Sequence, residues 1–350
     1  MSTDTVSQNN DGRNPLKPKR QHRAATPFFP SLARQMAEGG TFTFSDPDAY
    51  TVAFGDVRLN LTITGAGDFK ARLTRLKLKD LEAYWCCEDL PPIAYVSLPS
   101  NRVYLSFPVG IASAISSGLV LRNDDMVFHS RGERLHQRSN GESWWGLISL
   151  PSEQFVSCSK ALTAHPIASP PASRIIRPSR TSASRFQSLF RQARKLAKTR
   201  QQLSEIPEIA RALEQQMLHA MINCVAGGKA DDHPRARDRH VAIMVRFEEE
   251  LSKHVDQKLN MPTLCARIGV TERKLRVCSA ELLGVSPARY LLLQQLNRAR
   301  SALRHANPAK ATVAEIARNH QSLELGRFAV TYRVLFGESP SDTLRHDPRT

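Results

Sequence analysis

The sequence predicts an α+β chain with a β-rich N-terminal part, a helical hairpin and an all-α C-terminal part. Three observations carry that prediction. Residues 40–165 hold many short stretches in which apolar and polar residues alternate, as strands with one buried face do. From about residue 181 the apolar residues recur at helical spacing instead. Near the C-terminus two segments repeat one another, and a repeat marks a structural unit used twice.

Residues 1–25 are rich in Asn, Ser, Lys, Arg and Pro with almost no apolar content. They bury too little to order themselves and are expected to form a disordered basic arm. In the β-rich part, Leu59, Leu61 and Ile63 alternate with polar or small neighbours, as do Thr74, Leu76 and Leu78. Residues 93–98, 103–107, 118–121 and 145–150 are further strand candidates. Turn signals separate them at Gly65-Ala-Gly67, Pro91-Pro92, Asn123-Asp-Asp125 and Asn140-Gly141. Many short strands at this spacing point to a sandwich or barrel. Residues 103–121 are long and uncharged, but Pro108, Gly110 and Gly118 interrupt them; they predict two strands and a turn rather than a membrane span.

Residues 168–184 are rich in Pro, Ser and Arg and read as a linker. Phe186, Leu189, Phe190, Ala193 and Leu196 then keep helical spacing, as do Ile206, Ile209, Leu213, Met217 and Met221. They predict a two-helix hairpin over residues 181–225. Its apolar stripe suits either cover for the β-part or a contact between two chains. Residues 226–236 form a second linker, and residues 237–350 read as helices.

The repeat has the layout of two helix-turn-helix units. Ala266 pairs with Ala317 at an offset of 51, whereas Gly284, Ser286 and Pro287 pair with Gly337, Ser339 and Pro340 at 53. In the first copy a short helix with a small alanine precedes the turn Gly269-Val270, and Thr271 caps the next helix. Leu275, Cys278 and Leu282 form the apolar face of that helix, leaving Glu272, Arg273, Lys274 and Arg276 outward. Gly284 ends it, and Pro287 starts a long helix to about His305. Tyr290, Leu291, Leu293, Leu296, Ala299 and Leu303 face inward there, with Arg298, Arg300 and Arg304 along it.

Charge agrees with this layout. The chain has 49 Lys+Arg against 33 Asp+Glu, a formal charge of +16. Residues 262–305 alone hold eight basic and two acidic residues. A basic helix-turn-helix with an outward arginine cluster is the pattern of a protein entering the DNA major groove. In that reading Arg273 and Arg276 reach base edges, while Lys274, Arg298 and Arg333 meet phosphates.

The C-terminal residues resemble the DNA-binding domain of AraC/XylS-type transcription regulators. Ala266, Leu275, Gly284-Val-Ser-Pro287, Tyr290, Leu296-Asn-Arg-Ala-Arg300, Leu303, Val313, Ile316-Ala317, Phe328, Tyr332-Arg333, Phe336-Gly337, Ser339-Pro340 and Arg345 carry the resemblance. It implies DNA-binding positions at Thr271, Arg273, Lys274, Arg276, Val277, Arg298, Arg327 and Arg333. Two departures matter. Gln321-Ser322 stands where members usually carry Gly-Phe, and Arg276-Val277 stands near a shifted arginine of the first recognition helix. The first unit is therefore expected to read bases more firmly than the second, which would mainly contact backbone.

The N-terminal half resembles that family's cupin-like regulatory domains more weakly, with residues 131–150 as the nearest stretch. The resemblance implies a regulatory domain over residues 40–165, a dimerising hairpin over 181–225 and a DNA-binding domain over 237–350. The implied partners are double-stranded promoter DNA, RNA polymerase, a small-molecule effector and a second copy of the chain; the implied role is activation. Residues 1–23 are polar and basic with no apolar segment to act as a secretory signal, so a cytoplasmic location is expected.

The alternative is a cupin-type small-molecule binder or metalloenzyme with a helical interaction tail. His129, Glu133 and His136 would supply its ligands. The usual His-x-His pair is absent, however, and the stretch reads better as a polar turn and hairpin. No Gly-rich phosphate loop, nucleophile motif or convincing carboxylate pair stands out, so no enzyme, metal or cofactor is expected. Tyr84-Trp85 and Trp144-Trp145 are candidates for a ligand pocket or for plain core. The six cysteines show no CxxC and read as reduced, mostly buried thiols.

Overall fold

Alternating strands need a partner layer for each apolar face, and here they find it in a second sheet and a layer of helices. The computed structural model describes residues 39–110, 114–198, 207–230, 235–254, 260–320 and 325–345. The expected arm, the turn inside the hairpin and Gln321-Ser322 lie outside the described residues.

Eight strands form the larger antiparallel sheet, in the order β1 (Gly40–Phe44), β3 (Ala71–Lys77), β4 (Glu82–Glu88), β11 (Ser143–Pro151), β6 (Arg102–Pro108), β9 (Met126–Phe128), β12 (Arg174–Arg177) and β13 (Lys229–Ala230). Five form the smaller: β2 (Arg58–Ile63), β5 (Pro92–Ser97), β10 (Arg134–Ser139), β7 (Ala114–Ser116) and β8 (Leu119–Val120). Between them lie Phe44, Leu61, Leu73, Tyr84, Ala94, Leu135 and Leu147, with Tyr50 from the short helix α1 (Pro47–Val52).

The outer face of the larger sheet is also apolar, through Trp85, Leu105, Phe107 and Ile148. Helices α2 (Ser152–Thr163), α3 (Arg180–Lys198) and α4 (Pro207–Gly227) cover it with Phe155, Phe186, Phe190, Met217 and Met221. Trp85 stacks on Phe190 at 4.3 Å between ring centroids. The approach is so close that a Cβ on Gly146 would meet Phe107 Cε2 at 2.5 Å. The apolar stripe of the hairpin is thus spent on the sheet within one chain.

Two details of the linkers differ from expectation. Residues 168–184 contain β12, where Ile175 and Ile176 are buried and pair with β9. Residues 226–236 contain β13, which extends the same sheet. Residues 103–121 supply parts of three strands rather than two.

The all-α part follows its caps. It runs through α5 (Arg235–Lys253), α6 (Met261–Ile268), α7 (Glu272–Leu283), α8 (Pro287–His305), α9 (Val313–Asn319), α10 (Leu325–Phe336) and α11 (Pro340–Arg345). Asn260, Thr271, Ser286 and Thr312 each accept a backbone N–H at a helix start, a contribution of about 1 kcal/mol per cap. Helix α8 joins two cores. Tyr290 belongs to one with Phe247, Leu264 and Leu275; Leu296 and Leu303 belong to the other with Ile316, Phe328 and Tyr332.

The repeat is confirmed in shape and corrected in register. Ala266 is exposed, and the buried small residue of the first short helix is Cys265, the counterpart of Ala317. Asn260 and Thr312 cap the two short helices at the same offset of 52. Arg300, expected along the outside of α8, is instead 4% exposed.

Candidate nucleic-acid interface

The two recognition helices, α7 and α10, present their N-terminal halves outward and their C-termini to the β-domain. In α7, Thr271 Oγ1 accepts from the Lys274 backbone N–H at 3.2 Å, so that hydroxyl is spent on the cap. Glu272, Arg273, Lys274, Arg276 and Val277 are all exposed. Arg273 has no side-chain partner among the described residues. Arg276 donates to Glu272 one turn back, at 2.5 Å. Lys274 leans to α5 and donates to His240 Nε2, whose Nδ1 donates to Glu281. That carboxylate also accepts from Arg237 at 3.2 Å. In α10, Gly326, Arg327, Val330, Arg333 and Val334 are exposed, while Phe328 and Tyr332 face the core. The structure thus brings Arg273, Lys274, Arg276 and Val277 onto one helix, and Arg327 and Arg333 onto the other. Arg298 lies apart on α8, within reach of Gln294 at 3.5 Å.

Both C-terminal ends are braced by turns of the β-domain. Gly118 lies so near α7 that its Cβ would come within 2.9 Å of the Glu281 carbonyl oxygen. The Arg138 guanidinium packs on Gly284, the left-handed glycine that ends α7. At α10, Gly67 N donates to the Phe336 carbonyl at 3.2 Å, and Gly337 lies against Ala66.

Helix α8 is tied to the β-domain along its length. His136 of β10 donates to Glu248 of α5 at 2.9 Å, and Tyr290 donates to the same carboxylate at 2.6 Å, all three buried. Burial and that carboxylate push the Tyr290 hydroxyl well above the usual tyrosine range. Asn297 takes the Ile63 N–H on Oδ1 and returns Nδ2–H to the Ile63 carbonyl, both at 3.0 Å. Arg300 lies over the Phe336 ring at 4.4 Å, pairs with Glu338 at 2.7 Å and donates to the Gly67 carbonyl. At the end of the helix, Ser301 donates to Asp48, Arg304 to the Ser45 carbonyl at 2.9 Å, and His305 to Asp46 at 3.3 Å. The hydrogen bond to Asp46 raises the His305 pKa to about 9, against the cost of its partial burial. Burial, joined by the charge of Asp46, raises Asp48, whereas for Asp46 burial is outweighed by the bonds from His305 and the Asp48 N–H together with the charges of His305 and Arg304, and the pKa is lowered.

Asp46, Asp48 and His305 are the one group among the described residues whose ligand atoms come within metal-binding reach, 4.8 Å of one another. Their arrangement is already that of an imidazolium held by carboxylates, with Nδ1 donating to the Ser301 carbonyl at 2.8 Å. His129, Glu133 and His136 do not converge. His129 meets Glu133 at 2.6 Å and Ser106 at 2.8 Å, while His136 turns to the helical domain.

A cavity of about 40 Å³ remains between the sheets, lined by Phe54, Leu59, Glu88, Arg138 and Trp145 among others. Burial raises the Glu88 pKa, and Tyr50, Ser143 and Trp145 all donate to its carboxyl. Trp145 therefore belongs to the cavity, and Trp85 to the core under the helices. Among the described residues, no helix is long and apolar enough to cross a membrane.

Residues 264–346 match the family described as a helix-turn-helix domain. Over 98 residues, 28% of this chain, the sequence is 39% identical to a probable thc operon regulatory protein of Rhodococcus erythropolis, covering 30% of that protein. Over 102 residues, 29% of this chain, it is 32% identical to a XylDLEGF operon transcriptional activator of Pseudomonas putida, covering 31% of it. The chain thus spans less than a third of the length of these two relatives. Among solved structures it is similar to a probable AraC family transcriptional regulator from Rhodopseudomonas palustris, at 28% identity over 31% of this chain and 99% of that one, with a TM-score of 0.28. It is also similar to the AraC-like transcriptional activator CuxR, at 14% identity over 87% of this chain and 99% of that one, with a TM-score of 0.35.

Proposed function

We propose, from a C-terminal domain that belongs to the AraC/XylS family of transcription regulators, that the whole chain is a sequence-specific DNA-binding transcription regulator. The observation that carries this reading is the outward pair of recognition helices. The first leaves Arg273, Lys274 and Arg276 outward in its N-terminal half and the second leaves Arg327 and Arg333 outward along its length, while the C-terminus of each is braced from behind. Arg273 and Arg276 are assigned to base edges, and Lys274, Arg298 and Arg333 to phosphates, with Thr271, Val277 and Arg327 at the same surface. Lys274 must release His240 to reach a phosphate. The reading has no catalytic step.

Activation of transcription through RNA polymerase, in the cytoplasm, is the role assigned by likeness to the named activator. The β-domain over residues 40–165 is assigned regulation by a small-molecule effector. A homodimer is assigned to the hairpin over 181–225, using the faces that its sheet contact leaves outward.

The test is selection of bound sequences from a random duplex library by the full chain. An enriched motif is expected. Binding without any enriched motif would overturn the reading in favour of attraction by charge alone.

A further inference from the structure

Exposed apolar side chains on this molecule are concentrated on the recognition helices. Of the seven large hydrophobic residues standing exposed among the described residues, Val277, Leu325, Val330 and Val334 lie on α7 and α10. Valine gains nothing there from helix propensity, being a weaker helix former than alanine, and about half or more of each of the three valines stays in solvent.

Two of the four are the same position. Gly284 and Gly337 end the two helices at an offset of 53, and the buried residues obey that offset too: Leu275 with Phe328, Leu282 with Leu335, and Leu283 with Phe336. Val277 and Val330 are therefore counterparts, 49% and 65% exposed. At about 100° per residue, Arg273, Val277 and Ala280 share one side of α7. On α10 that side holds Gly326, Val330 and Arg333. Val334 differs. It corresponds to Glu281, which in the first unit turns aside to Arg237 and His240.

Resting on the reading above, we infer that Val277 and Val330 are specificity-determining residues, each packing on the C5-methyl group of a thymine in the major groove. Thymine is the base that offers an apolar group there. The neighbouring Arg273 and Arg276, and Arg333 on the second helix, supply the positive charge that draws a polyanionic duplex to these faces. The second unit then reads bases through an apolar contact, although Gly326 stands where the first has Arg273. The linking helix α8, about 28 Å long at 1.5 Å per residue, sets the two contacts in separate segments of the site.

The experiment replaces thymines with deoxyuridine, one at a time, in the duplex selected by the full chain. This removes only the methyl group. Affinity is measured for the wild type, Val277→Ala, Val330→Ala and Val334→Ala. Thymine-to-deoxyuridine changes in two separate segments are expected to weaken wild-type binding about three- to tenfold. Val277→Ala abolishes that sensitivity in one segment, Val330→Ala in the other, and Val334→Ala in neither. Alanine favours the helix at these exposed positions, so the variants keep the fold. A selected motif that tolerates every deoxyuridine overturns the inference alone, as does sensitivity that persists in both valine variants. Failure to select any motif overturns the DNA-reading function and the inference with it.

Discussion

The two helix-turn-helix units obey the same local rules and live in different surroundings. Each has a hydroxyl or amide cap, a buried small residue, a recognition helix and a left-handed glycine at its end. In the first unit, the side of α7 facing α5 carries the polar chain Lys274, His240, Glu281 and Arg237. In the second, the position of Glu281 is Val334, 74% exposed. The lesson is that helix geometry is set by spacing, whereas the chemistry of a helix face follows from its neighbours. The first unit is held by the buried tie at Glu248, the second by Arg300, the Gly67–Phe336 hydrogen bond and the part-exposed contacts of Ser301, Arg304 and His305.

Breaking the buried tie gives the largest expected effect. Glu248→Ala leaves His136 and Tyr290 without their acceptor in the interior and should cost about 3 kcal/mol of stability. Glu338→Ala leaves the buried Arg300 guanidinium with the Phe336 ring and the Gly67 carbonyl and should cost less, about 1–2 kcal/mol. Equal losses in thermal or denaturant melts would dissolve the contrast between the units. Next, Arg273→Ala should weaken binding to the selected DNA by ~1–3 kcal/mol and relax preference in one segment only, because Gly326 offers no counterpart. Uniform weakening on all sequences would contradict a base-reading role.

Gly118→Ala adds a methyl at φ +79° and against the Glu281 carbonyl. It should destabilise the protein by about 1–2 kcal/mol, and an unchanged melting temperature would show that the turn does not press on α7. The smallest effect concerns pH. With its folded pKa near 9 against an ordinary value of about 6.5, His305 stabilises the domain contact fully below about 6.5. That contribution fades as pH rises through about 9. Wild type should therefore lose stability across this window relative to His305→Gln; parallel pH profiles would remove the bridge from the account.

The legible parts of the fold were those with a period. Strands at Arg58–Ile63 and Pro92–Ser97 announced themselves by alternation or by β-rich runs between turns, and α8 by its proline, its stripe and its end. Strand β4 did not, because Tyr84 faces one core and Trp85 another, so neither face is polar. Strand β10 read as a polar turn since His136 and Arg138 meet polar or backbone groups of the helical domain. In β12, two isoleucines were outweighed by Pro and Ser around them. The candidate site was legible at Arg273, Lys274, Arg276 and Val277, where the first repeat exposed a face. Val330 lacked the charge that drew attention to the first helix. Glu248, Asn297 and Gly118 act through partners more than 100 residues away, a relation that no local pattern encodes.

Asn297 has a consequence for the β-domain by itself. Strand β2 is the last strand of the smaller sheet, and its outer backbone edge is satisfied at Ile63 by an amide side chain that imitates one rung of a further strand. Taking the helical domain away would uncover that rung, and open sheet edges recruit other strands. A fragment ending before residue 235 should therefore self-associate more readily than the whole chain, so the helical domain also protects its neighbour from unwanted strand addition.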